Sequence, residues 1–416
     1  MLQTLPYPQT LPPGAAPALT IVRALTDAGR RALLAGGCVR DLLRGAEPHD
    51  YDVATDARPE QVVAQFRQTR QVGAQFGVVL VRSKGIWVEV ATFRSDHEYH
   101  DGRRPVAVSF TDAENDARRR DFTVNGMFLD PLAGQVLDYV GGAADLAAHV
   151  IRAIGDARTR FGEDYLRLLR APRFAARLEY AIEPDTLAAI RTLAPKLAEV
   201  AAERVHDELQ RMLGAPSRAA ALALLETTGL LPHLWRGAVW PAAQLATARA
   251  VLAALPAEAP FIAAWAALLN SRAEEEVHEI SRSLAFSNED REAAAWLVAS
   301  APRLDDPDAP RLSELKRLMA HSAFCALGQL AAARHTLIAD SSERTSRLAA
   351  RVAAVKPEAV APPPFVTGSD LLVLQVAPGP VYARVLDELY TRQLEETLTT
   401  RDEALAALHA LLKEPT

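Results

Sequence analysis

Residues 33–41 read Leu-Leu-Ala-Gly-Gly-Cys-Val-Arg-Asp, and residues 50–55 read Asp-Tyr-Asp-Val-Ala-Thr. The first segment is an apolar run that ends in two glycines, which allow a tight turn and a close approach to a ligand. A helix is predicted to start at Val39, so its free N–H groups would face whatever lies on Gly36 and Gly37. This arrangement is typical of a phosphate-binding turn.

The second segment holds a pair of aspartates, Asp50 and Asp52. The segment is predicted to be a short strand, in which alternation would place both carboxylates on one face. Two adjacent carboxylates repel each other unless a divalent cation lies between them, and hard oxygen ligands suit Mg2+. Alone, a Gly-Gly is usually a plain turn and an Asp-x-Asp is usually solvated. Together, so close in the chain, they favour nucleotidyl or phosphoryl transfer.

These two segments resemble the head-domain signature of class II tRNA nucleotidyltransferases, the CCA-adding enzymes, with their bacterial poly(A) polymerase relatives. The resemblance implies an α+β fold. It comprises a polymerase-beta-like nucleotidyltransferase head, a mixed sheet with helices, followed by an all-helical neck, body and tail. We expect the head at residues 18–145, the neck at 146–215, the body at 216–356 and the tail at 357–416.

The composition agrees with a chain of several helical units. At 416 residues it is long enough for two to four of them, and 49% hydrophobic with only 6% aromatic residues favours helices over sheet. The net charge of −6 excludes a general polyanion binder, so RNA contacts need a local basic face. The two cysteines, Cys38 and Cys325, lack metal-site spacing, which argues against structural zinc and fits a reducing cytosol.

No segment has the pattern of a targeting signal or a membrane span. Residues 1–17 are proline-rich and lack a basic region followed by an apolar core. Residues 242–269 are the most apolar stretch, but Arg249 and Pro256 interrupt them, which indicates buried helices. We therefore expect a soluble, cytoplasmic protein that does not act at a membrane.

Periodicity predicts the remaining elements of the head. Helices are expected at residues 18–30 and 59–67, and strands at 76–81 and 87–93. In the last strand Glu89 points to one face, beside the aspartates if the strands are neighbours. The spacing alone leaves an ordinary exposed residue as an equal alternative. The resemblance implies a third catalytic carboxylate at Glu89.

A polar stretch and a basic motif follow. Residues 95–111 are charged and have no regular period, so we expect a mobile loop. Residues 118–125 read Arg-Arg-Arg-Asp-Phe-Thr-Val-Asn, and their arginines could neutralise a triphosphate or an RNA backbone. A plain surface cluster is the alternative. The motif is also part of the resemblance, which implies nucleotide binding by Arg119, Arg120, Asp121 and Asn125.

A second motif concerns the choice of base. Asp164 and Arg167 stand three apart in a predicted helix, where an intrahelical ion pair is the simple interpretation. A chemical role is also available: the arginine can donate to cytosine O2 and N3, or to adenine N1, while the aspartate accepts from the exocyclic amine. Uracil O4 and guanine O6 would instead face the aspartate acceptor to acceptor. The resemblance assigns this role to the motif Glu163-Asp164-x-x-Arg167. We add Arg170 and Arg173 as nucleotide-binding residues and interpret Arg204 as structural.

The resemblance implies attack of an RNA 3′-hydroxyl on the α-phosphate of CTP or ATP. Asp50 and Asp52 would hold two Mg2+ ions, and Gly36, Gly37 and Arg40 would take the triphosphate. The partners would be these nucleotides and the tRNA 3′ end, with body and tail helices reading tRNA shape. No protein partner is implied.

Several alternatives stay open at this point. The enzyme could add all of CCA, only its A or only CC, or it could be a poly(A) polymerase of the same family. The full length of residues 95–118 favours addition of the terminal A, and residues 73–77 do not match the polyadenylating relatives. A non-catalytic RNA-binding protein on a dead scaffold is a further alternative, which the intact pair Asp50 and Asp52 argues against.

Overall fold

The computed structural model describes residues 2–7, 9–71, 77–99, 105–235, 240–377 and 379–412, without side-chain detail at 96–99 and 105–108. The chain divides into two compact units, Met1–Met212 with Ala220–Val239 and Leu213–Ala219 with Trp240–Thr416. The centre of the predicted loop, residues 100–104, lies outside the described residues, as do residues 73–76 of the stretch compared with poly(A) polymerases.

The strands lie in the first unit. They are β1 (Gln3–Pro6), β2 (Ala32–Ala35), β3 (Asp52–Thr55), β4 (Thr69–Arg70), β5 (Val78–Ser83), β6 (Ile86–Thr92), β7 (Arg94–Tyr99), β8 (Pro105–Phe110), β9 (Phe128–Asp130), β10 (Gln135–Asp138), β11 (Val150–Ile151) and β12 (Ala181–Ile182).

Eight of these strands form one sheet in the order β1-β10-β9-β2-β3-β6-β5-β4. The pair β3 and β6 is parallel and the other neighbours are antiparallel, so the sheet is mixed, as predicted. The strand β2 is buried along its whole length because it lies in the middle of the sheet. The expected strands at 76–81 and 87–93 are confirmed as β5 and β6. The edge strand β1, in the proline-rich N-terminus, was not predicted.

The helices that begin in the first half of the chain are α1 (Ala16–Asp27), α2 (Gly37–Leu43), α3 (Pro59–Gln65), α4 (Ala113–Arg118), α5 (Gly142–Ala147), α6 (Ala157–Glu163), α7 (Arg167–Leu178), α8 (Pro184–Leu193) and α9 (Ala202–Leu213). In α1 the buried residues Ala18, Ile21, Val22 and Leu25 follow the helical repeat. The helices expected at 18–30 and 59–67 are confirmed as α1 and α3.

The polar stretch at residues 95–111 is not an irregular loop in its described parts. The strands β7 and β8 pair in antiparallel fashion, with Arg94 opposite Phe110 and Asp96 opposite Val108. The prediction was wrong because a two-stranded ribbon outside the main sheet needs no apolar alternation. Its base is held by the main chain of Arg94, whose N–H donates to the buried carboxylate of Asp116 at 3.2 Å.

The rest of the chain is helical, as predicted. Its helices are α10 (Arg218–Thr227), α11 (Leu231–Leu234), α12 (Ala242–Ala254), α13 (Phe261–Leu268), α14 (Glu274–Ser283), α15 (Asn288–Ser300), α16 (Leu312–Met319), α17 (Phe324–His335), α18 (Ser341–Ala354), α19 (Pro357–Val360), α20 (Gly368–Val373), α21 (Pro380–Leu394) and α22 (Arg401–Leu411). Within the second unit, the buried Lys316 ties α16 to the end of α21 by donating to the Leu394 carbonyl at 2.8 Å. In the described residues, no helix has both the length and the apolar character needed to cross a membrane.

Candidate active site

A cavity of about 610 Å3 lies in the first unit, beside the ends of β2 and β3 and against α7 and α9. It collects every residue that the sequence singled out for the site except Glu89 and Glu163. Five further residues complete its lining. The lining residues are Gly36, Gly37, Arg40, Asp50, Asp52, Arg119, Arg120, Asp121, Asn125, Asp164, Leu166, Arg167, Arg170, Arg173, Phe174, Arg177, Arg204 and Arg211.

The glycine turn joins β2 to α2. Gly36 has a φ of +72°, which a residue with a side chain rarely adopts. A Cβ atom there would lie 2.8 Å from Nη1 of Arg120. The helix α2 starts at Gly37, two residues before the expected start at Val39. Glycine therefore serves two needs at this position: the backbone turns sharply, and Arg120 can lie against the turn.

Arg40 lines the cavity but is itself nearly fully buried. Its guanidinium donates to both oxygens of Asp41, at 2.8 and 2.9 Å, and to Oδ1 of Asn125 at 2.7 Å. The ring of Phe174 lies 5.5 Å from it. Most of the N–H groups of Arg40 are thus occupied by protein, and the side chain fixes Asn125 in the cavity wall.

Arg119 and Arg120 are oriented by one buried carboxylate, that of Asp116. The Nε of Arg119 donates to it at 2.9 Å, and Nη2 of Arg120 donates at 3.0 Å. Burial opposes the charge of Asp116, but the two arginines outweigh burial and lower its pKa. The ring of Phe128 supports Arg120 at 5.0 Å. Both guanidinium groups are therefore held in place before any ligand binds.

The two aspartates of the second segment do not share a strand. The strand β3 begins at Asp52, and Asp50 lies before it with 83% of its side chain exposed and Oδ2 at 3.0 Å from Nδ1 of His49. The prediction that both stand in one strand was wrong, because the pairing of β2 with β3 ends at Asp52 opposite Ala35. Asp50 nevertheless lines the same cavity as Asp52.

Asp52 is a half-buried carboxylate in an acidic setting. The parallel pairing of Val53 with Val90 places Glu89 next to Asp52 on the neighbouring strand β6. Burial first, and then the charges of Glu89 and Asp50, raise the pKa of Asp52 to about 6 against the opposing charge of Arg120.

These carboxylates have the chemistry of a divalent-cation site. In the described residues, no three His, Cys, Asp or Glu side chains are already gathered around one point. The carboxylates of Asp52, Asp50 and Glu89 are hard oxygen donors, and a bound cation would relieve the repulsion that raises the pKa of Asp52. The residues therefore fit such an ion, provided that Asp50 turns from His49 towards Asp52.

The side chains of Asp164 and Arg167 have other partners, and these two residues meet through the Arg167 N–H, which donates to the Asp164 carbonyl at 3.1 Å. The helix α6 ends at Glu163, Asp164 is extended with a φ of −152°, and α7 begins at Arg167. Oδ1 of Asp164 accepts from the Leu166 N–H at 3.1 Å, which competes with helix continuation through this point. The prediction of a shared helix was wrong, and the alternative of an intrahelical ion pair does not hold, but both side chains line the cavity.

Arg167 is held by three other groups. Its Nη1 donates to the Arg160 carbonyl at 2.7 Å and to Oε2 of Glu163 at 2.5 Å, and its Nη2 donates to the Arg119 carbonyl at 3.0 Å. The last contact links the base-selection motif to the arginine motif 48 residues earlier. Arg167 keeps at least one N–H for a ligand, because a guanidinium carries five.

Two further ion pairs fix the wall formed by α7 and α9. Asp121 accepts from Arg170 at 2.6 Å. Burial works against the charge of Asp121, but Arg170 and the hydrogen bond from Asn125 outweigh it and lower the pKa to about 2. Arg173 pairs with Glu208, and both side chains are buried. Arg170 and Arg173 are therefore each paired with a carboxylate that balances part of their charge.

Sequence reasoning missed five lining residues: Leu166, Phe174, Arg177, Arg204 and Arg211. Arg177 could have been found, because it lies four residues after Arg173 on the same helix face. Arg204 was interpreted as structural, yet its Nη2 donates to Oδ2 of Asp164 at 2.8 Å. No local pattern reveals that contact, since the two residues are 40 apart in the chain.

The cavity is lined by side chains of both charges. Nine arginines and four aspartates line it, with Asp50 and Asp52 at the strand end and most arginines on α7, α9 and the loop after α4. Guanidinium groups bind phosphate oxygens well, and adjacent carboxylates bind divalent cations. The arrangement is suited to a nucleotide triphosphate held between a metal site and a basic wall.

Comparison with protein families gives two matches. Residues 32–152 match the family described as Poly A polymerase head domain. Residues 179–238 match the family described as Probable RNA and SrmB-binding site of polymerase A. The first match contains the glycine turn and the arginine motif, and the second contains Arg204 and Glu208.

Similar proteins are named CCA-adding enzymes. The one from Geobacillus thermodenitrificans is 38% identical over 296 residues, which are 70% of this chain and 72% of that protein. The one from Geobacillus stearothermophilus is 44% identical over 218 residues, 52% of this chain and 54% of that protein. The chain thus spans about half the length of several curated relatives that it matches.

Solved structures give the same picture. The CCA-adding enzyme of Bacillus stearothermophilus in complex with CTP superposes with a TM-score of 0.81 at 30% identity, covering 97% of this chain and 98% of that one. The Thermotoga maritima CCA-adding enzyme complexed with tRNA has a TM-score of 0.69 at 18% identity, covering 99% of each chain, and at that identity supports the fold alone.

Proposed function

The chain belongs to the CCA-adding enzyme family, and we propose that it adds CCA, or its terminal A, to the 3′ end of tRNA from CTP and ATP. The reaction is template-independent: the RNA 3′-hydroxyl attacks the α-phosphate and pyrophosphate leaves. The observation that carries this proposal is a single cavity lined by Asp50, Asp52, Asp164 and nine arginines. Residues 18–145 would form the catalytic head and 146–215 the selecting neck. Residues 216–356 would be the body and 357–416 the tail, both contacting tRNA.

Enzymes of this family generally use a divalent metal ion, and we propose Mg2+, held by Asp50 and Asp52 with Glu89 beside them. When bound, the two-ion site would lower the pKa of the attacking hydroxyl and steady the leaving pyrophosphate. The protein prepares this site by keeping Asp52 half-buried among acidic neighbours, where a cation binds more strongly than it does to a solvated carboxylate. The two free cysteines in the described residues fit a reducing cytoplasm as the place of the reaction.

The arginines of the wall would bind the triphosphate. Arg119 and Arg120 are held by Asp116, so little side-chain entropy is lost when they meet phosphate. Gly36 and Gly37 allow the phosphates to approach the backbone, and Arg40 orients Asn125 beside them. This division of roles keeps the α-phosphate close to Asp50 and Asp52.

The base would be chosen by Asp164 and Arg167. Asp164 accepts from the exocyclic amine of cytosine or adenine, and a remaining N–H of Arg167 donates to the ring. Uracil and guanine present a carbonyl oxygen to Asp164 and are rejected. A carbonyl oxygen and a carboxylate cannot share a hydrogen bond, so the discrimination needs no RNA template.

An incorporation assay tests the proposal. Purified protein is mixed with tRNA that lacks its last nucleotide, labelled nucleotides and Mg2+, each nucleotide being supplied alone. We expect one A to be added from ATP and no extension from UTP or GTP. Long A tails would instead favour a poly(A) polymerase, and no incorporation at all would favour a non-catalytic RNA-binding protein.

A further inference from the structure

Arg204 holds the carboxylate of Asp164 from outside the base-selection motif. It comes from α9 and donates from Nη2 to Oδ2 of Asp164 at 2.8 Å. Oδ1 of the same carboxylate accepts from the Leu166 N–H at 3.1 Å. The two anchors lie on different oxygens, so together they fix the plane of the carboxylate.

The side chain of Arg167 does not provide this second anchor. Its guanidinium is bound to the carbonyl groups of Arg160 and Arg119 and to the Glu163 carboxylate. In the described part of the chain, Arg204 is the cation that forms an ion pair with Asp164. Arg167 therefore binds other groups, and Arg204, 40 residues after Asp164, supplies the ion pair with the Asp164 carboxylate.

We propose that Arg204 is a positioning residue for nucleotide selection, acting through Asp164. This inference rests on the proposed function. A carboxylate has about four lone-pair sites, and two of those on Asp164 are occupied by Leu166 and Arg204. The remaining sites have fixed directions, so they meet the amine of cytosine or adenine and repel the carbonyl oxygen of uracil or guanine.

Loss of Arg204 would free this carboxylate. With the Leu166 N–H as the single anchor, the side chain of Asp164 can rotate and admit water or a carbonyl oxygen. The ion pair is partly exposed, with 24% of the Arg204 and 18% of the Asp164 side chain accessible, so it adds little to the stability of the fold. Selectivity should therefore change while the thermal midpoint does not.

Three single variants test the inference, with the full-length enzyme and tRNA lacking its terminal nucleotides. The ratio of kcat/KM for CTP or ATP to that for UTP or GTP is measured for each. We expect Arg204→Ala to lower the ratio about tenfold, about 1.4 kcal/mol. Arg204→Lys should stay within about threefold of wild type, because a contact from one nitrogen can be replaced by an ammonium. The matched control Arg158→Ala, exposed on α6 outside the cavity, should leave the ratio unchanged.

A double variant shows whether Arg204 acts through Asp164. We expect Asp164→Asn with Arg204→Ala to have the ratio of Asp164→Asn alone. Additive losses would overturn the inference, because Arg204 would then contact the base by itself. A wild-type ratio in Arg204→Ala, or an equal fall for all four nucleotides, would also overturn it. If the wild type adds neither C nor A to tRNA, the proposed function itself fails and the inference falls with it.

Discussion

The surroundings of Asp52 disfavour the charged form of its carboxylate. Its pKa is raised from 3.8 to about 6, first by burial and then by the charge of Glu89. The folded state therefore holds the proton more tightly than the unfolded chain does. The contribution of Asp52 to the free energy of unfolding therefore falls as the pH rises from about 4 to about 6, and its full penalty is present above pH 6.

Replacing Asp52 by Asn should remove this penalty. We expect Asp52→Asn to be more stable than wild type at pH 7.5 by an amount of order 1–3 kcal/mol, and the two to converge near pH 4. Urea unfolding with a chelator present at both pH values measures the difference. Adding Mg2+ should then stabilise the wild type more than the variant. If the variant is less stable than wild type at pH 7.5, the charged form of Asp52 is not destabilised by burial and by Glu89.

Most of the residues that line the cavity were predicted from the sequence, but their contacts were not. Glycine, aspartate and arginine residues predicted the turn, the proposed metal pair and the basic motif, because each of these chemistries allows few residue types. The partner of Asp164 could not be predicted, since Arg204 reaches it only through the packing of α9. The hydrogen bonds of the Arg40 guanidinium to Asp41 and Asn125 could not be predicted from the sequence either.

Among the elements, α7 and α9 are joined by one buried ion pair. Glu208 is 1% exposed and pairs with Arg173, which is 8% exposed. We expect Glu208→Ala to lower the free energy of unfolding by about 3–5 kcal/mol, because it leaves the charge of Arg173 buried without its partner. Chemical denaturation of the full chain measures this.

The control lies on the same helix. Glu203 is exposed at the start of α9, and Glu203→Ala should change the stability by no more than about 0.5 kcal/mol. Equal effects of the two variants would mean that the buried pair does not hold the wall of the cavity together.

The hairpin of β7 and β8 is the element for which we predict a role in the last step of addition. Cytosine and adenine differ in size, so our proposal for Asp164 and Arg167 requires them to shift relative to the head between the two additions. The hairpin is tied to Arg120 of the cavity through Asp116, which makes it a suitable lever. Asp96 and Val108 are register partners, so residues 97–107 can be replaced by a two-residue turn without breaking the base of the hairpin.

We expect this shortened enzyme to lose A addition and, if the wild type makes all of CCA, to keep C addition. Gel analysis of products with CTP alone and with ATP alone separates the two activities, and C addition is the internal control. Retained A addition in the shortened enzyme would show that the hairpin is not the lever.

Helices and strands were predicted correctly where burial of one face gives the sequence a regular apolar repeat. The helix α1 and the strand β6 each bury one face, and the apolar repeat records it. The ribbon of β7 and β8 leaves no such record, because it pairs outside the main sheet. The break at Asp164 was missed because the local turn in which the Leu166 N–H donates to the Asp164 carboxylate leaves no periodic signal in the sequence.

For the whole molecule, the resemblance predicted a mixed-sheet head followed by helices, and the change of periodicity after residue 150 agreed with it. The finer division into neck, body and tail stays a prediction, and the observed compact units place their boundary near residues 212–240. Long helical stretches rich in alanine carry no motif that marks where one packed unit ends.

The measurement that tests the central claim most directly is sequencing of the 3′ ends made on tRNA lacking one, two or three terminal nucleotides. The reaction contains all four nucleotides and Mg2+, and Asp52→Asn serves as the inactive control. Our account predicts ends that stop at CCA on all three substrates, or a single A on the tRNA that lacks only its last nucleotide. Ends that stop at CC, long A tails, or unchanged ends with the wild-type protein would contradict it.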